Sequence, residues 1–518
     1  MNYCLGIDVG GTNTDAVILD KQQTIIASVK THTTKDIESG IYDAITKVLK
    51  ISQLNPEDIH LAMLGTTQAT NAIVERKGLA EIGVIRLGFP ATAAIPPYSE
   101  WPNDLVKSMS GKYSLVHGGY EYDGQLITSV DDQELRQVLT DWQGKIESLA
   151  VVGVFSALNK NQEEHVAEIA HEILGDNIPI SLSAAIGSIG LITRENATIL
   201  NSGLCRIIQR VAYGFSNALL KQGIVQADIY LCQNDGTLMS LDFAAQYPIL
   251  TIGSGPTNSI RGAAYLAKKR DALVLDIGGT TSDIGVLVNG FPRESSKGVE
   301  VGGVQTNFRM PDILSIGLGG GSIVRQHDDG TVTIGPDSVG YQITDKAICF
   351  GGDVVTATDI AVRLGYVDLG NPVLTKKIDE NLAQKASAEI KRMLETAIDK
   401  MKSSADDVDL ILVGGGRIIV HGELAGTSHV FTDPNGGVAN AIGATIAQVG
   451  GQYEKLYQYA TVDRTKAISD ATMLAKQQAI TAGAKGGSTE VVDFEEIPLA
   501  YAPGNTTRVK VRVVGDLV

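Results

Sequence analysis

Asp8-Val9-Gly10-Gly11-Thr12-Asn13-Thr14-Asp15 stands near the start of the chain and returns, little altered, as Asp276-Ile277-Gly278-Gly279-Thr280-Thr281-Ser282-Asp283. Aligned on the aspartates, the copies keep Asp, Gly, Gly, Thr and Asp at the same offsets. Apolar runs precede them, Tyr3-Cys4-Leu5-Gly6-Ile7 and Ala272-Leu273-Val274-Leu275, and others follow, from Ala16 to Leu19 and from Ile284 to Val288. The local expectation for each copy is strand, glycine-rich turn, strand. Glycines let a backbone approach phosphate closely, and turn N–H groups and threonine hydroxyls can bond its oxygens. An aspartate ending the leading strand can hold hydrated Mg²⁺ against those oxygens. One such turn is weak evidence, because tight hairpins also need glycine. The repeat is stronger, because hairpin geometry requires neither the shared Asp nor the shared Thr. A strand after the turn also excludes a Walker A loop and the dinucleotide fingerprint, both of which lead into a helix. Two loops suggest one nucleotide clamped between two related halves.

At 518 residues the chain exceeds a single compact core, so two or more domains are expected. A hydrophobic content of 43% with 20% charged residues fits a soluble globular protein. The net charge of −16 argues against nucleic acid or an anionic membrane as partner. Cys4, Cys205, Cys232 and Cys349 are scattered without a CxxC pair, so neither a disulfide framework nor a four-thiolate zinc site is expected. No basic leader precedes the first strand, and no apolar run reaches the roughly 18 residues of a membrane span. A reducing, cytoplasmic setting follows as an expectation.

Along the first half, strand signals at 3–9, 15–20 and 24–29 precede a helical stretch at 36–52, whose Ile41, Ala44, Ile45 and Val48 fall near helical spacing. Leu61–Leu64 reads as a buried strand, Thr67–Lys77 as the helix after it, and Glu81–Ile85 as another strand. This alternation predicts an α/β layer architecture. Residues 90–125 are richer in Pro, Gly and Tyr and read as an excursion. Val151–Phe155 and a helix at 161–174 resume the rhythm, and Ser181–Ser188 reads as a small-residue connector. Domains are therefore expected at 1–185, carrying the first loop, and at 186–450, carrying the second. A helix at 376–402 leads to Leu410-Ile411-Leu412-Val413-Gly414-Gly415-Gly416, a buried strand ending in three glycines on which an adenine or ribose could lie. Residues 451–518 are expected as a small accessory segment, with an amphipathic helix near 465–483 and an alternating strand from Thr507 to Val513.

These three elements, in this order, resemble the actin, hexokinase and 70-kDa heat-shock ATPase superfamily, with its two phosphate loops and adenosine turn. Further segments narrow the resemblance. Leu64-Gly-Thr-Thr-Gln-Ala-Thr-Asn-Ala-Ile-Val-Glu-Arg-Lys-Gly78, Ser254-Gly-Pro256, Gly319-Gly-Gly-Ser322 and Gly437-Val-Ala-Asn-Ala-Ile-Gly-Ala444 look like the A-subunit family of ATP-dependent hydantoinases and 5-oxoprolinases. The block from Gly65 to Gly78 is the most specific, and the similarity runs from about residue 3 to about 450.

The resemblance implies two duplicated actin-like, ribonuclease H-like halves around a nucleotide cleft. It also implies ATP and Mg²⁺, a cyclic amide or imide substrate, a second hydantoinase-type subunit and an oligomeric assembly. Phosphorylating an amide oxygen makes it a good leaving group, so that water can attack the carbon, the ring opens and phosphate is released; most of the catalysis is positioning and charge stabilisation. By position, Asp8 and Asp276 are the expected Mg²⁺-water ligands and catalytic carboxylates. Gly10, Gly11, Thr12, Asn13, Gly278, Gly279, Thr280 and Thr281 are the expected phosphate contacts, and Gly414, Gly415 and Gly416 form the adenosine turn. Asp15 and Asp283 read equally well as local bonds to turn amides. Thr66, Thr67, Asn71 and Arg194 are candidate substrate contacts. For Thr66 or Thr67 the alternative is a helix cap, and for Arg194 it is pairing with Glu195. No histidine is assigned a metal; His117 could be a ligand or a loop residue. Three rival functions share the signature: a small-molecule kinase, a ketone carboxylase subunit, and a nucleotide switch without turnover.

Overall fold

The computed structural model describes residues 3–517 apart from 12, 34–36, 123, 188, 296–297, 309, 501 and 503. Buried apolar runs on either side of each glycine turn fold back as antiparallel pairs. In the first half these are β1 (Tyr3–Val9) and β2 (Asn13–Leu19), followed by β3 (Ile25–His32) and β4 (Ile59–Thr66). Next come β5 (Ile82–Phe89), β6 (Lys112–His117), β7 (Ser148–Gly153) and β8 (Ile180–Leu182), then β9 (Asp228–Cys232) and β10 (Thr237–Ser240). The second half contains β11 (Ala272–Ile277), β12 (Ser282–Val288), β13 (Phe291–Pro292), β14 (Val299–Val301), β15 (Val304–Thr306) and β16 (Ile313–Ile316). It continues with β17 (Ser322–Gln326), β18 (Val332–Ser338), β19 (Val408–Val413) and β20 (Thr427–Thr432). The remaining strands are β21 (Gln448–Gln458), β22 (Glu490–Pro498) and β23 (Thr506–Gly515).

The two central sheets carry the same topology. In the first, β3, β2, β1, β4 and β9 lie side by side; in the second, β16, β12, β11, β19 and β20 do. The hands of pairing match as well. β1 runs antiparallel to β2 and parallel to β4, as β11 does to β12 and β19. β3 and β16 close antiparallel on the second strand of each half, and β9 and β20 lie parallel to the fourth. The fold is therefore a duplicated ribonuclease H-like α/β architecture. A separate parallel sheet, in the order β6-β5-β7-β8, is inserted between β4 and β9.

Several elements differ from the sequence expectation. The excursion at 90–125 contains β6, an edge strand whose mixed burial hides its period. The supposed connector at 181–188 is the end of β8 followed by a one-turn helix, Ser183–Ile186. A 31-residue helix, Leu191–Lys221, begins just after the expected boundary at 185/186. Its buried Arg194, Glu195, Asn196, Thr198 and Asn201 interrupt the apolar periodicity by which a helix is recognised.

The segment after 450 joins the first sheet: β21 pairs with β10, and β23 lies between β21 and β22. The helix Arg464–Thr481 buries Ala467, Ala471, Ala475 and Ala479 at every fourth position, packing against Val509, Val511 and Val513 of β23. A Cβ at Gly451 would lie 2.2 Å from the Ala475 carbonyl oxygen, so the small residues permit close approach. β23 also reaches the second half, where Arg512 Nη1 lies 2.5 Å and Lys510 Nζ 3.3 Å from the Glu294 carboxylate. Among the described residues, no helix is long and apolar enough to cross a membrane.

Candidate active site

The turn after β1 and its repeat after β11 have the same internal bond. Gly10 N–H donates to the Asn13 carbonyl at 3.0 Å, and Gly278 N–H donates to the Thr281 carbonyl at 2.9 Å. A Cβ at Gly11 or Gly279 would meet no atom within 4 Å, so both turns present open backbone. Thr12 lies outside the described residues. The second turn is built against two other glycine segments. Gly320 and Gly321 donate to the Gly278 and Gly279 carbonyls at 3.0 and 2.8 Å. A Cβ at Gly416 would lie 2.3 Å from the Gly278 oxygen, so Gly414–Gly416 packs directly on the second loop. Thr280 follows Gly279 in this packed turn, whereas Gly415 is exposed.

Sheet register places the acidic residues in rows. Across the first sheet, Lys30, Asp15, Asp8 and Gly65 are successive Cα partners. The corresponding row in the second sheet is Ser315, Asp283, Asp276 and Val413. Asp8 is 2% exposed. Its Oδ2 accepts from Asn440 Nδ2 at 2.8 Å, and its Oδ1 lies 3.5 Å from Asn258 Nδ2. Burial, and next the charge of Asp15, push the Asp8 carboxyl up to about 6, while the two asparagines and Lys30 act in the opposite direction. Asp276 is also held above the usual carboxylate range by burial, with Ser259 and Lys30 opposing. Burial likewise raises Asp283, to about 6.

Glycine makes room for both leading aspartates. A Cβ at Gly65 would lie 2.3 Å from Asp8 Oδ1, and one at Gly414 would lie 2.2 Å from Asp276 Oδ1. Asn258 and Asn440 come from two helices, Ser254–Ala267 and Ala439–Thr445, that cross almost backbone to backbone. A Cβ at Gly262 would sit 1.8 Å from the Ala439 oxygen, and one at Gly443 would sit 1.8 Å from the Asn258 oxygen. The crossing thus carries both asparagines to one carboxylate.

Among the described residues, no turn amide bonds Asp15 or Asp283. Asp15 Oδ2 accepts from Lys30 Nζ at 2.6 Å, and Asp283 accepts from the Ser315 hydroxyl. Among the described residues, Asp15 Oδ1 is buried with no hydrogen-bond donor. Buried carboxylates with an orphaned oxygen, beside open turn amides, suit a hydrated divalent cation with phosphate.

Thr66, Thr67 and Asn71 come together beside the first loop. Thr67 donates to the Val9 carbonyl through N–H and hydroxyl, both at 3.3 Å, and Asn71 Nδ2 lies 3.4 Å from Thr67 Oγ1. Thr66 Oγ1 accepts from Gln68 N–H at 3.2 Å, the local bond that a cap would make. Arg194 lies apart from this group, in the first turn of the helix Leu191–Lys221, and reaches the inserted sheet. It donates to the Gly153 carbonyl at 2.6 Å and to Ser183 Oγ at 3.0 Å. Glu195 pairs not with Arg194 but with Arg86, bidentately at 2.6 and 2.5 Å. His117 ends β6, its Nδ1 3.0 Å from Glu134, while the adjacent Asp131 caps the helix Asp132–Trp142. Those bonds account for the trio without an ion.

Sequence reasoning missed Asn258, Asn440 and Lys30. The two asparagines lie within or directly after motifs that carry the family resemblance, Ser254–Pro256 and Gly437–Ala444. Nothing local distinguishes a carboxylate-orienting amide from a helix-surface one.

Two ribonuclease H-like halves, each with a glycine turn after a strand that carries aspartate near its end, define the actin-like ATPase fold class. The chain belongs to the hydantoinase/oxoprolinase family: its N-terminal-region profile matches residues 4–174, and the hydantoinase/oxoprolinase profile matches 194–401. It is similar to the caprolactamase alpha subunit of Pseudomonas jessenii, at 25% identity over 70% of this chain and 55% of the relative. It is also similar to the acetophenone carboxylase gamma subunit of Aromatoleum aromaticum, at 26% identity over 70% of this chain and 53% of the relative. The chain thus spans about half the length of these two relatives. The crystal structure of the ATP-dependent caprolactamase from Pseudomonas jessenii shares the fold, with a TM-score of 0.81 at 18% identity, covering 100% of this chain and 88% of that one.

Proposed function

We propose that this chain is the ATP-binding component of an enzyme that opens a cyclic amide or imide by phosphorylating its carbonyl oxygen. The observation that carries this reading is the buried Asp8 carboxylate. Two asparagines from crossing helices orient it, Gly65 makes room for it, and the opposite half supplies Asp276. The family and its caprolactamase relative support the choice of substrate class.

In this mechanism the turns at Gly10–Gly11 and Gly278–Gly279 bind phosphate oxygens through backbone N–H groups other than those of Gly10 and Gly278, which close the turns, and Gly414–Gly416 receives the adenosine. Asp8 and Asp276 would hold hydrated Mg²⁺, which supplies charge neutralisation for the phosphate chain. Asn258 and Asn440 keep the Asp8 carboxylate in one orientation, so little reorganisation accompanies transfer. Thr66, Thr67 and Asn71 face the acceptor side of the first loop. The γ-phosphoryl passes to the amide oxygen as its bond to ADP breaks, leaving the carbon electrophilic. One water adds there and the C–N bond breaks with protonation of nitrogen. A second water cleaves the resulting acyl phosphate. A second, hydantoinase-type subunit would contribute to the ring-opening steps.

The test measures ADP and ring-opened product together against a lactam and hydantoin panel, using the protein with whatever subunit co-purifies. ADP and opened ring appearing in equal amounts is the expected result. Phosphate release independent of every cyclic amide would overturn it. The acetophenone carboxylase relative favours a second reading, in which a ketone or its enol is phosphorylated and bicarbonate is consumed. A stable phosphorylated product would instead identify a kinase.

A further inference from the structure

The two halves repeat each other strand for strand, yet their acidic rows end differently. On the third strand of the first half, Lys30 stands opposite Asp15; on the third strand of the second, Ser315 stands opposite Asp283. A duplicated scaffold therefore supplies a cation on one side and a neutral hydroxyl on the other. From this asymmetry we infer that Lys30 is the fixed cation that contacts the transferring phosphoryl group, with Asp15 as its holder. The inference rests on the phosphoryl-transfer reading above and assigns the transfer to the first half.

Three observations converge on it. The first is position. The Lys30 side chain is 37% exposed while the Asp15 side chain is 2% exposed, so the pair runs from the interior to solvent. The second is reach. Sheet register sets Lys30 beside Asp15, which stands beside Asp8, and the Lys30 charge also bears on Asp276 of the other half. The third is rigidity. The strand that carries Lys30 also braces the first turn: Thr31 Oγ1 donates to the Thr14 carbonyl at 3.0 Å, and Thr33 Oγ1 donates to the Gly10 carbonyl at 2.9 Å. The Thr33 bond occupies a turn carbonyl, which would otherwise repel phosphate.

Charge explains the need. Four carboxyl groups gather around the cleft, and a triphosphate adds more negative charge. A lysine held at 2.6 Å by a buried carboxylate is already positioned before transfer. Its ammonium can then meet the charge on the moving phosphoryl oxygens without reorganising. Ser315 can donate one hydrogen bond but cannot neutralise charge, so the second half is left to bind rather than to transfer.

The test uses the full chain with its co-purifying subunit and compares Lys30→Met, Lys30→Arg and Ser315→Ala. The readouts are Mg²⁺-dependent ATP turnover, affinity for a fluorescent ADP analogue, and thermal melting. Removal of a preorganised charge predicts a fall in kcat of about 10²–10³-fold for Lys30→Met. ADP affinity should change far less, because the β-phosphate lies on the loops. Lys30→Arg should recover most of the rate, and Ser315→Ala should lose far less of it than Lys30→Met. If Lys30→Met melts early, Lys30→Cys treated with 2-bromoethylamine restores an ammonium at the same place, and turnover should return with it.

Unchanged turnover in Lys30→Met, or an equal loss in Ser315→Ala, overturns the inference. Turnover that needs Lys30 but never depends on a cyclic amide overturns the ring-opening proposal and supports this one.

Discussion

Asp8 and Gly65 stand opposite each other on parallel strands, and the Asp8 carboxylate occupies the space that a side chain at position 65 would need. A Cβ there would lie 2.3 Å from Asp8 Oδ1 and 2.4 Å from Asn258 Nδ2. The absence of a side chain at one residue thus fixes the orientation of another.

Gly65→Ala should therefore damage the site without removing any polar group. Displacing a catalytic group by about 1 Å can cost on the order of 10²-fold in rate. We expect ATP turnover to fall by about that factor while the melting temperature moves little. Turnover assays beside a thermal melt decide it; a loss of rate that merely tracks unfolding would refute the positional argument.

Asn440→Ala should cost more than Asn258→Ala, because the contacts to Asp8 are 2.8 and 3.5 Å long. A hydrogen bond to a charged group contributes roughly 1.5–3 kcal/mol. Losing the shorter bond should weaken Mg²⁺·ATP binding or turnover by about 10–100-fold, readable in steady-state kinetics.

The Asp8 carboxyl, at about 6, gives a pH dependence with a definite sign. Its folded value exceeds its ordinary one, so its stabilising contribution is complete below about pH 4 and is lost as pH rises through about 6. The metal-free wild type should lose melting temperature relative to Asp8→Asn across that window. Mg²⁺·ATP needs the ionised form, so its affinity should rise over the same range in the wild type and rise less steeply in Asp8→Asn. Calorimetric titrations at pH 5, 6 and 7 test both trends.

The helix crossing predicts a purely structural effect. Gly443→Ala would place a methyl group 1.8 Å from the Asn258 carbonyl oxygen, where backbone must move. Overpacking of this kind typically costs about 1–3 kcal/mol. Denaturant unfolding should show at least that loss, together with weakened nucleotide binding, since Asn258 and Asn440 ride on the same two helices.

Arg86 and Glu195 are 0% and 1% exposed at their side chains and bond bidentately. Breaking a buried pair leaves an uncompensated charge, at a cost of about 3–5 kcal/mol. Arg86→Met should destabilise by that amount, and Arg86→Met/Glu195→Leu should recover much of it, as read by chemical denaturation.

What could be read from the sequence follows the range of the interaction. The two Asp-x-Gly-Gly-Thr turns need only their own residues and flanking strands, so their geometry was predictable and so was the duplicated fold. The helix at 36–52 announced itself by apolar spacing and is found at Ile37–Ser52. The helix at 191–221 did not, because its buried polar face bonds distant partners such as Arg86 and Trp101. Asn440 reaches Asp8 across most of the chain, and no local pattern encodes that meeting. Lys30 looked like an ordinary strand-surface lysine until sheet register set it opposite Asp15.

The joining of β21, β22 and β23 to the first sheet bears on how this chain is made. Met63, Cys232 and Leu238 share a buried cluster with Val509, Val511 and Val513. During synthesis, the strands that leave the ribosome first must keep one apolar flank uncovered until β23 emerges. That long delay raises the loop-closure demand on folding and exposes a sheet edge to other nascent chains. Because Arg512 and Lys510 also grip Glu294, the arrival of one strand near the end would close the early lobe and fasten it to the late one.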